Sequence, residues 1–147
     1  LLDRRSAAGG CPGLCGGDDM TDREMLELAA KAGGYARHEY VENSARDGRV
    51  VTGHYDSLLE VCINPLDDDG DALRLAVKLG LHVMQYPIYD EPKHSAIAKK
   101  SARLLDDTCV DMCVGIEVYG SDPYAATRRA ITRAAAEIGR QMEESND

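Results

Sequence analysis

The stretch NPLDDDGDALRLAVKLGL, Asn64 to Leu81, joins a cluster of carboxylates to a helical pattern. Asp67 or Asp68 suits the N-cap position, and the other carboxylates of the cluster meet the positive end of the helix dipole. Gly80 fits the residue after the helix, where a left-handed backbone is favoured. The face predicted to be buried consists of Leu73, Leu75, Ala76, Val77 and Leu79. The stretch therefore predicts a capped amphipathic helix between two segments of strand type.

The same cluster, Asp67 to Asp71, also raises the question of a cation site. A calcium loop aligned on its glycine would begin at Pro65 and end at Ala76, and neither side chain is a ligand. Only Asp67 and Asp69 fall in register as metal candidates. Capping is the favoured interpretation, and no metal or cofactor is predicted. A metal-dependent hydrolase or nuclease built on this cluster stays open as an alternative.

Composition and charge limit the class of protein. The chain has 147 residues, 44% of them hydrophobic, and contains no Trp and no Phe, which predicts an aliphatic core in one domain. Its formal charge of −9 disfavours direct binding to nucleic acid. This negative charge is typical of a chain that binds another protein or imitates a polyanion. No apolar run reaches the roughly 20 residues of a membrane-spanning helix, so a cytoplasmic protein is expected.

Cysteines and histidines give no catalytic or zinc motif. The odd number of cysteines predicts free thiols, and Cys109 and Cys113 are one residue too far apart for a common zinc knuckle. A nucleophile pair, Cys62 with His82 or Cys113 with His94, requires proximity in three dimensions. We therefore expect a protein that is not an enzyme. The five cysteines are Cys11, Cys15, Cys62, Cys109 and Cys113.

Residues 1–19 differ from the rest of the chain. They are rich in glycine and show neither helical nor strand periodicity. Arg4-Arg5 has no apolar segment after it, so a signal peptide is not indicated. The dipeptide Gly16-Gly17 can be encoded by a purine-rich string resembling a ribosome-binding site before Met20. Met20 is therefore the predicted true start, with 1–19 a disordered leader upstream of it and 20–147 a single domain.

Three helices and about five strands are expected from residue 20 onward. Thr21 and Glu24 form a capping box for the first helix, and Asp122 with Pro123 begins a final helix of roughly 20 residues. Asp47-Gly48 predicts a hairpin whose polar first arm is an edge. The other predicted strands are Leu58–Ile63 (more central), Leu81–Tyr86, Ser95–Ala98 (or a short helix) and Cys113–Tyr119.

This order, αββαβββα, predicts an α+β domain. Three helices would be layered on a mostly antiparallel sheet of about five strands, as an α/β/α-type sandwich. On the last helix, Arg129, Arg133 and Arg140 form either a solvated face or a surface for a partner.

Three segments resemble a known family. They are TDREMLELAAKAGG (21–34), NPLDDDGDALRLAVKLGL (64–81) and GSDPYAATRRAITRAAAEIGRQM (120–142). Together they are similar to the phage ABA-sandwich domain family of small phage and prophage proteins. The resemblance implies a helix–sheet–helix sandwich and carries over no catalytic residue. It favours a small phage- or prophage-encoded accessory protein that binds a host or phage protein in the bacterial cytoplasm. An acidic nucleic-acid mimic that inhibits a host defence protein is the other alternative.

Overall fold

The computed structural model describes residues 20–35, 38–46, 48–87, 94–103, 105–107, 109–119 and 121–146. The predicted leader, 1–19, lies outside these residues. Within them the element order is αβββαβββα. The helices are α1 (Asp22–Ala32), α2 (Asp69–Leu79) and α3 (Pro123–Ser145). The strands are β1 (Glu39–Arg46), β2 (Arg49–Asp56), β3 (Val61–Ile63), β4 (His82–Pro87), β5 (His94–Arg103) and β6 (Cys109–Tyr119).

The ends of the helices are fixed by the local signals predicted for them. Thr21 and Glu24 form the capping box of α1. Asp68 is the N-cap of α2, and Gly80 ends that helix in the left-handed region with φ 68°. Asp122 caps α3. Each cap satisfies N–H or C=O groups that have no partner inside the helix, so these boundaries depend only on residues within a few positions.

The α+β class is confirmed, but the strands form two sheets instead of one. The first sheet has the order β1-β2-β3 and the second has the order β4-β5-β6, and the pairing in both is antiparallel. Six strands are present where about five were predicted. The chain leaves β3 after three residues and continues as α2, so the first sheet is not extended into the second.

The hairpin is confirmed. Arg46 pairs with Arg49, which leaves two residues for the turn, and Gly48 has the positive φ of 76° that such turns require. As predicted, the polar first arm is an edge strand.

The prediction of a central strand from Leu58 to Ile63 is wrong in where the strand begins and in its place in the sheet. Only Val61–Ile63 is a strand, and it lies at an edge, because β2 is the central strand. Asp56 Oδ1 accepts the backbone N–H of Leu58 at 2.8 Å and that of Leu59 at 3.3 Å. This turn holds both leucines in solvent, although their hydrophobicity suggested burial.

Helix α3 lies directly on the inner face of the second sheet, meaning the face toward the core. A β-carbon added at Gly115 of β6 would overlap the carbonyl oxygen of Ala130 and lie 2.8 Å from the amide of Ala134. Small residues allow this close approach. The core consists of Ala29, Ala72, Leu75, Ala76, Leu79, Ala96, Ala98, Ala126, Ala130, Ile131, Ala134 and Ala135. Among the described residues, no helix is both long and apolar enough to cross a membrane.

The buried face of α2 differs from the predicted one. Leu73 is 62% exposed and Val77 is 73% exposed, although both were assigned to the core. The helix packs instead through Ala72, Leu75, Ala76 and Leu79. These four residues form one stripe at i, i+3, i+4 and i+7, and Leu73 and Val77 lie outside that stripe, on the flank of the helix.

Candidate functional site

The acidic loop before α2 is a structural cap. Asp68 Oδ1 accepts the N–H of Asp71 at 2.8 Å. Asp71 is nearly buried, accepts the N–H of Asn64 at 2.9 Å and pairs with Arg74 at 2.6 Å. Asn64 in turn donates to the carbonyl oxygen of Thr52 at 2.9 Å, which ties the loop to β2. The carboxylates of Asp68 and Asp71 therefore stabilise the start of α2 and its attachment to the first sheet.

The two metal candidates lie in different surroundings. Asp69 Oδ1 is 2.6 Å from Arg128 Nη1 on α3, so this carboxylate already faces a cation. Asp67 is exposed and lines a cleft of about 410 Å³ beside Asp22 and Arg129. Within the described ranges, no group of three or more His, Cys, Asp or Glu residues is placed to hold a metal ion.

The arginines of α3 point to partners inside the protein. Glu117, on the inner face of β6, lies 2.6 Å from Arg133 Nη2 and 3.5 Å from Arg129 Nε. Arg129 also contacts Asp22 of α1 at 2.7 Å. Arg140 pairs with Glu137 of its own helix, away from the other two arginines. Arg129 and Arg133 thus connect α3 to the sheet and to α1, which leaves them less available to a partner.

A histidine cluster lies on the first sheet. His38 Nε2 is 3.2 Å from Asp56 Oδ2, and both side chains are largely buried. His54 is only 7% exposed and meets the ring of Tyr40 edge to face. Neither ring nitrogen of His54 has a hydrogen-bond partner among the described residues. Burial lowers the pKa of His54, which nearby backbone groups of Leu26 and His38 oppose only in part.

We expect His54 to make the fold less stable in mild acid. Below pH 6.5 His54 binds a proton more readily in the unfolded chain than in the folded protein, where it is buried. Protonation therefore favours the unfolded state. The free energy of unfolding should fall by up to about 1.4 kcal/mol per pH unit below that point. His54→Phe keeps a ring against Tyr40 and should flatten the profile of urea unfolding between pH 7 and pH 5. His82→Gln, at an exposed histidine, should leave the profile unchanged; equal slopes in all three proteins would contradict the assignment.

The predicted pairs of cysteine and histidine are not assembled. Cys113 is buried on β6 opposite Lys100, whereas His94 pairs with Tyr119, six residues farther along the same strand. Cys62 and His82 lie in different sheets. Burial raises the pKa of both the Cys62 and the Cys113 thiol, which disfavours the thiolate form. The segment from Cys109 to Cys113 is part of β6.

The outer face of the second sheet, which points away from the core, carries most of its large apolar residues. Strand register places Met84, Ile97 and Ile116 in one row across β4, β5 and β6. The next row contains Tyr86, Ser95 and Val118, and the row on the other side contains His82, Lys99 and Val114. We call these nine positions the outer face.

No described helix covers the outer face. Ile116, Val118 and Tyr86 are all exposed, whereas Ala96 and Ala98 on the inner face are fully buried. The three helices thus lie on the inner side of this sheet, in place of the predicted layers on both sides. Charge on the outer side is balanced locally, since Lys99 Nζ lies 3.4 Å from Asp111 Oδ1. A contiguous apolar patch with little net charge is typical of a protein interface.

The sequence contains a signal for the outer face. In CVGIEVY, 113–119, the large residues Val114, Ile116 and Val118 alternate with Cys113, Gly115 and Glu117. The larger residues would ordinarily be assigned to the core. The close approach of α3 leaves no room for a β-carbon at Gly115, so this side of β6 faces the helix and Val114, Ile116 and Val118 face outward.

Searches against family models, curated proteins and solved structures find no match to this chain.

Proposed function

We propose that this chain is a small phage- or prophage-encoded accessory protein that acts by binding another protein through the outer face. The observation that carries the proposal is the apolar row Met84, Ile97 and Ile116, of which Ile116 is exposed and the other two are partly exposed. Its neighbours Tyr86 and Val118 are exposed as well. Burying apolar area of this kind supplies the main free energy of association. The resemblance to phage proteins supports the origin and a bacterial cytoplasmic setting. In this proposal the chain binds and does not catalyse.

The partner that fits this face supplies an amphipathic helix. Helices pack on sheets through apolar stripes, and the outer face offers apolar residues in three adjacent strands. A helix laid there would complete the helix–sheet–helix layering that the family resemblance implies. The formal charge of −9 would attract a partner whose surface around the helix is basic.

Paired substitutions test the proposal. Ile116→Lys with Val118→Lys places two charges on the outer face, and Leu58→Lys with Leu59→Lys places the same charges on an exposed turn outside it. We expect the wild-type chain and the turn variant to retain the same bacterial or phage protein on affinity capture. The outer-face variant should bind it at least tenfold more weakly at an unchanged melting temperature. Equal retention by both variants would contradict the proposal.

Other outcomes would support the alternative functions. A metal-dependent hydrolase requires a rise in melting temperature with calcium, magnesium or manganese that Asp67→Ala with Asp69→Ala abolishes. A nucleic-acid mimic requires an affinity for its partner that falls steeply with salt and is unchanged by the outer-face substitutions. Either result would assign the function to a site other than the outer face.

A further inference from the structure

The edge strands of the two sheets differ in how they are protected against pairing with another chain. Edge strands ordinarily carry charges, bulges or short lengths that prevent this pairing. β1 has a register shift between Val41 and Ser44 and several charged residues, and β3 has only three residues. β6 has a register shift opposite Lys100 and Ser101, and it carries Asp111 and Glu117.

β4 has none of these devices along its length. Its six residues, HVMQYP, include no Asp, Glu, Lys or Arg, and proline stands only at the end. Its ladder with β5 shows no register shift. Among the described residues no strand pairs with its other side. Of the four described edges, β4 is therefore the one open to strand addition.

Exposed apolar side chains surround this edge. A groove of about 300 Å³ runs beside β4, and its apolar lining comes from Leu73, Val83 and Tyr124 together with Ala72 and Ile131. Leu73 and Tyr124 are mostly exposed, and Val83 is partly so. Val77, one turn after Leu73 on α2, extends the same flank. The unpaired edge and the unburied flank of α2 thus form one continuous surface, which we call the β4 edge surface.

We propose that a second copy of this chain covers the β4 edge surface. Antiparallel pairing of β4 with itself about a two-fold axis places Met84 opposite Met84, and His82 opposite Tyr86. The β4-β5-β6 sheets of the two copies then become one sheet of six strands. The α2 flanks of both copies, with Leu73 and Val77, meet above this sheet. One symmetric contact therefore covers both the edge and the flank, as in isologous dimers.

The charges at this surface permit self-association. Two copies that each carry −9 can associate only through a surface that is free of uncompensated carboxylates. The carboxylate at the groove, Asp69, is paired with Arg128, so the β4 edge surface meets that condition. The contact has the length of a six-residue strand, about 20 Å. That places the dimer at the small end of stable interfaces, with dissociation expected in the micromolar range.

Sedimentation velocity over about 1–200 µM tests the dimer, since this range brackets a micromolar constant. The wild-type chain should shift from monomer to dimer. Leu73→Lys with Val77→Lys should stay monomeric with an unchanged circular dichroism spectrum, and Leu58→Lys with Leu59→Lys should dimerise like the wild type. The outer-face variant should dimerise as well, so this inference and the proposed function can fail separately.

A cross-linking measurement checks the register without disturbing the apolar contacts. Met84→Cys should give a disulfide-linked dimer under mild oxidation, well above the background from the native cysteines in the wild type. A wild-type chain that stays monomeric at about 200 µM, well above the range expected of such an interface, would overturn the proposal. So would a dimer that survives Leu73→Lys with Val77→Lys. A monomer whose β4 gains protection from hydrogen exchange only with a foreign protein would assign the edge to that partner instead.

Discussion

Alanine at Gly115 or at Gly139 is expected to lower the free energy of unfolding by about 3 kcal/mol or more. At Gly115 the added carbon would overlap the backbone of α3, and at Gly139 it would overlap the carbonyl oxygen of Leu28 in α1. Neither backbone can yield without moving a helix away from its neighbour. A small domain is stable by only about 5–15 kcal/mol, so the double variant is expected not to fold.

Gly70→Ala is the matched control. The nearest atoms to its added carbon belong to the side chains of Asp68 and Arg74, at 3.0 and 3.2 Å, and not to a backbone. Alanine is the better helix former there, so we expect a change in unfolding free energy within about 1 kcal/mol. Chemical denaturation of the three single variants provides the comparison. A stability of Gly115→Ala or Gly139→Ala equal to that of Gly70→Ala would contradict the close packing of α3.

The second large effect is expected at Glu117. Its side chain is 19% exposed, and that of its partner Arg133 is 17% exposed, so the pair is largely removed from water. Glu117→Ala leaves the Arg133 guanidinium buried without a counter-charge. We expect a loss of about 3 kcal/mol in the free energy of unfolding, because the cost of the unpaired charge dominates. Thermal and urea unfolding measure it.

Removing both charges provides the control. Glu117→Leu with Arg133→Leu should recover most of the stability lost by Glu117→Ala, since no buried charge is left unpaired. Arg129 keeps Asp22 as a partner in both variants. If the double variant is as unstable as the single one, the effect comes from packing at position 117 and not from the ion pair.

The features that the sequence predicted correctly are local. The caps at Thr21, Asp68 and Asp122 and the stop at Gly80 each depend on residues within about one helical turn. The two-residue turn before Arg49 follows from the same kind of local chemistry. The division into two sheets could not be predicted in this way, because it depends on which strands meet across long stretches of chain.

The candidate surfaces were missed for a single physical reason. Hydrophobicity assigned Leu73 and Val77 to the core, whereas α2 packs through Ala72, Leu75, Ala76 and Leu79. The sequence placed Ile116 on neither face of its strand, and the close approach of α3 at Gly115 puts it on the outer one. Arg133 was assigned to a solvated face or a partner surface, because its partner Glu117 belongs to a strand and helical periodicity does not indicate that contact. Backbone proximity in three dimensions decided both cases, and one-dimensional periodicity does not report it.

Photo-cross-linking in bacterial cells tests the outer face as a binding surface most directly. A photoreactive phenylalanine analogue replaces Ile116 in one protein and the more accessible Leu59 in another. We expect a cross-linked product with one partner protein from position 116 and none from position 59. Products from position 59 alone, or none from either position, would contradict the claim that the outer face binds a protein.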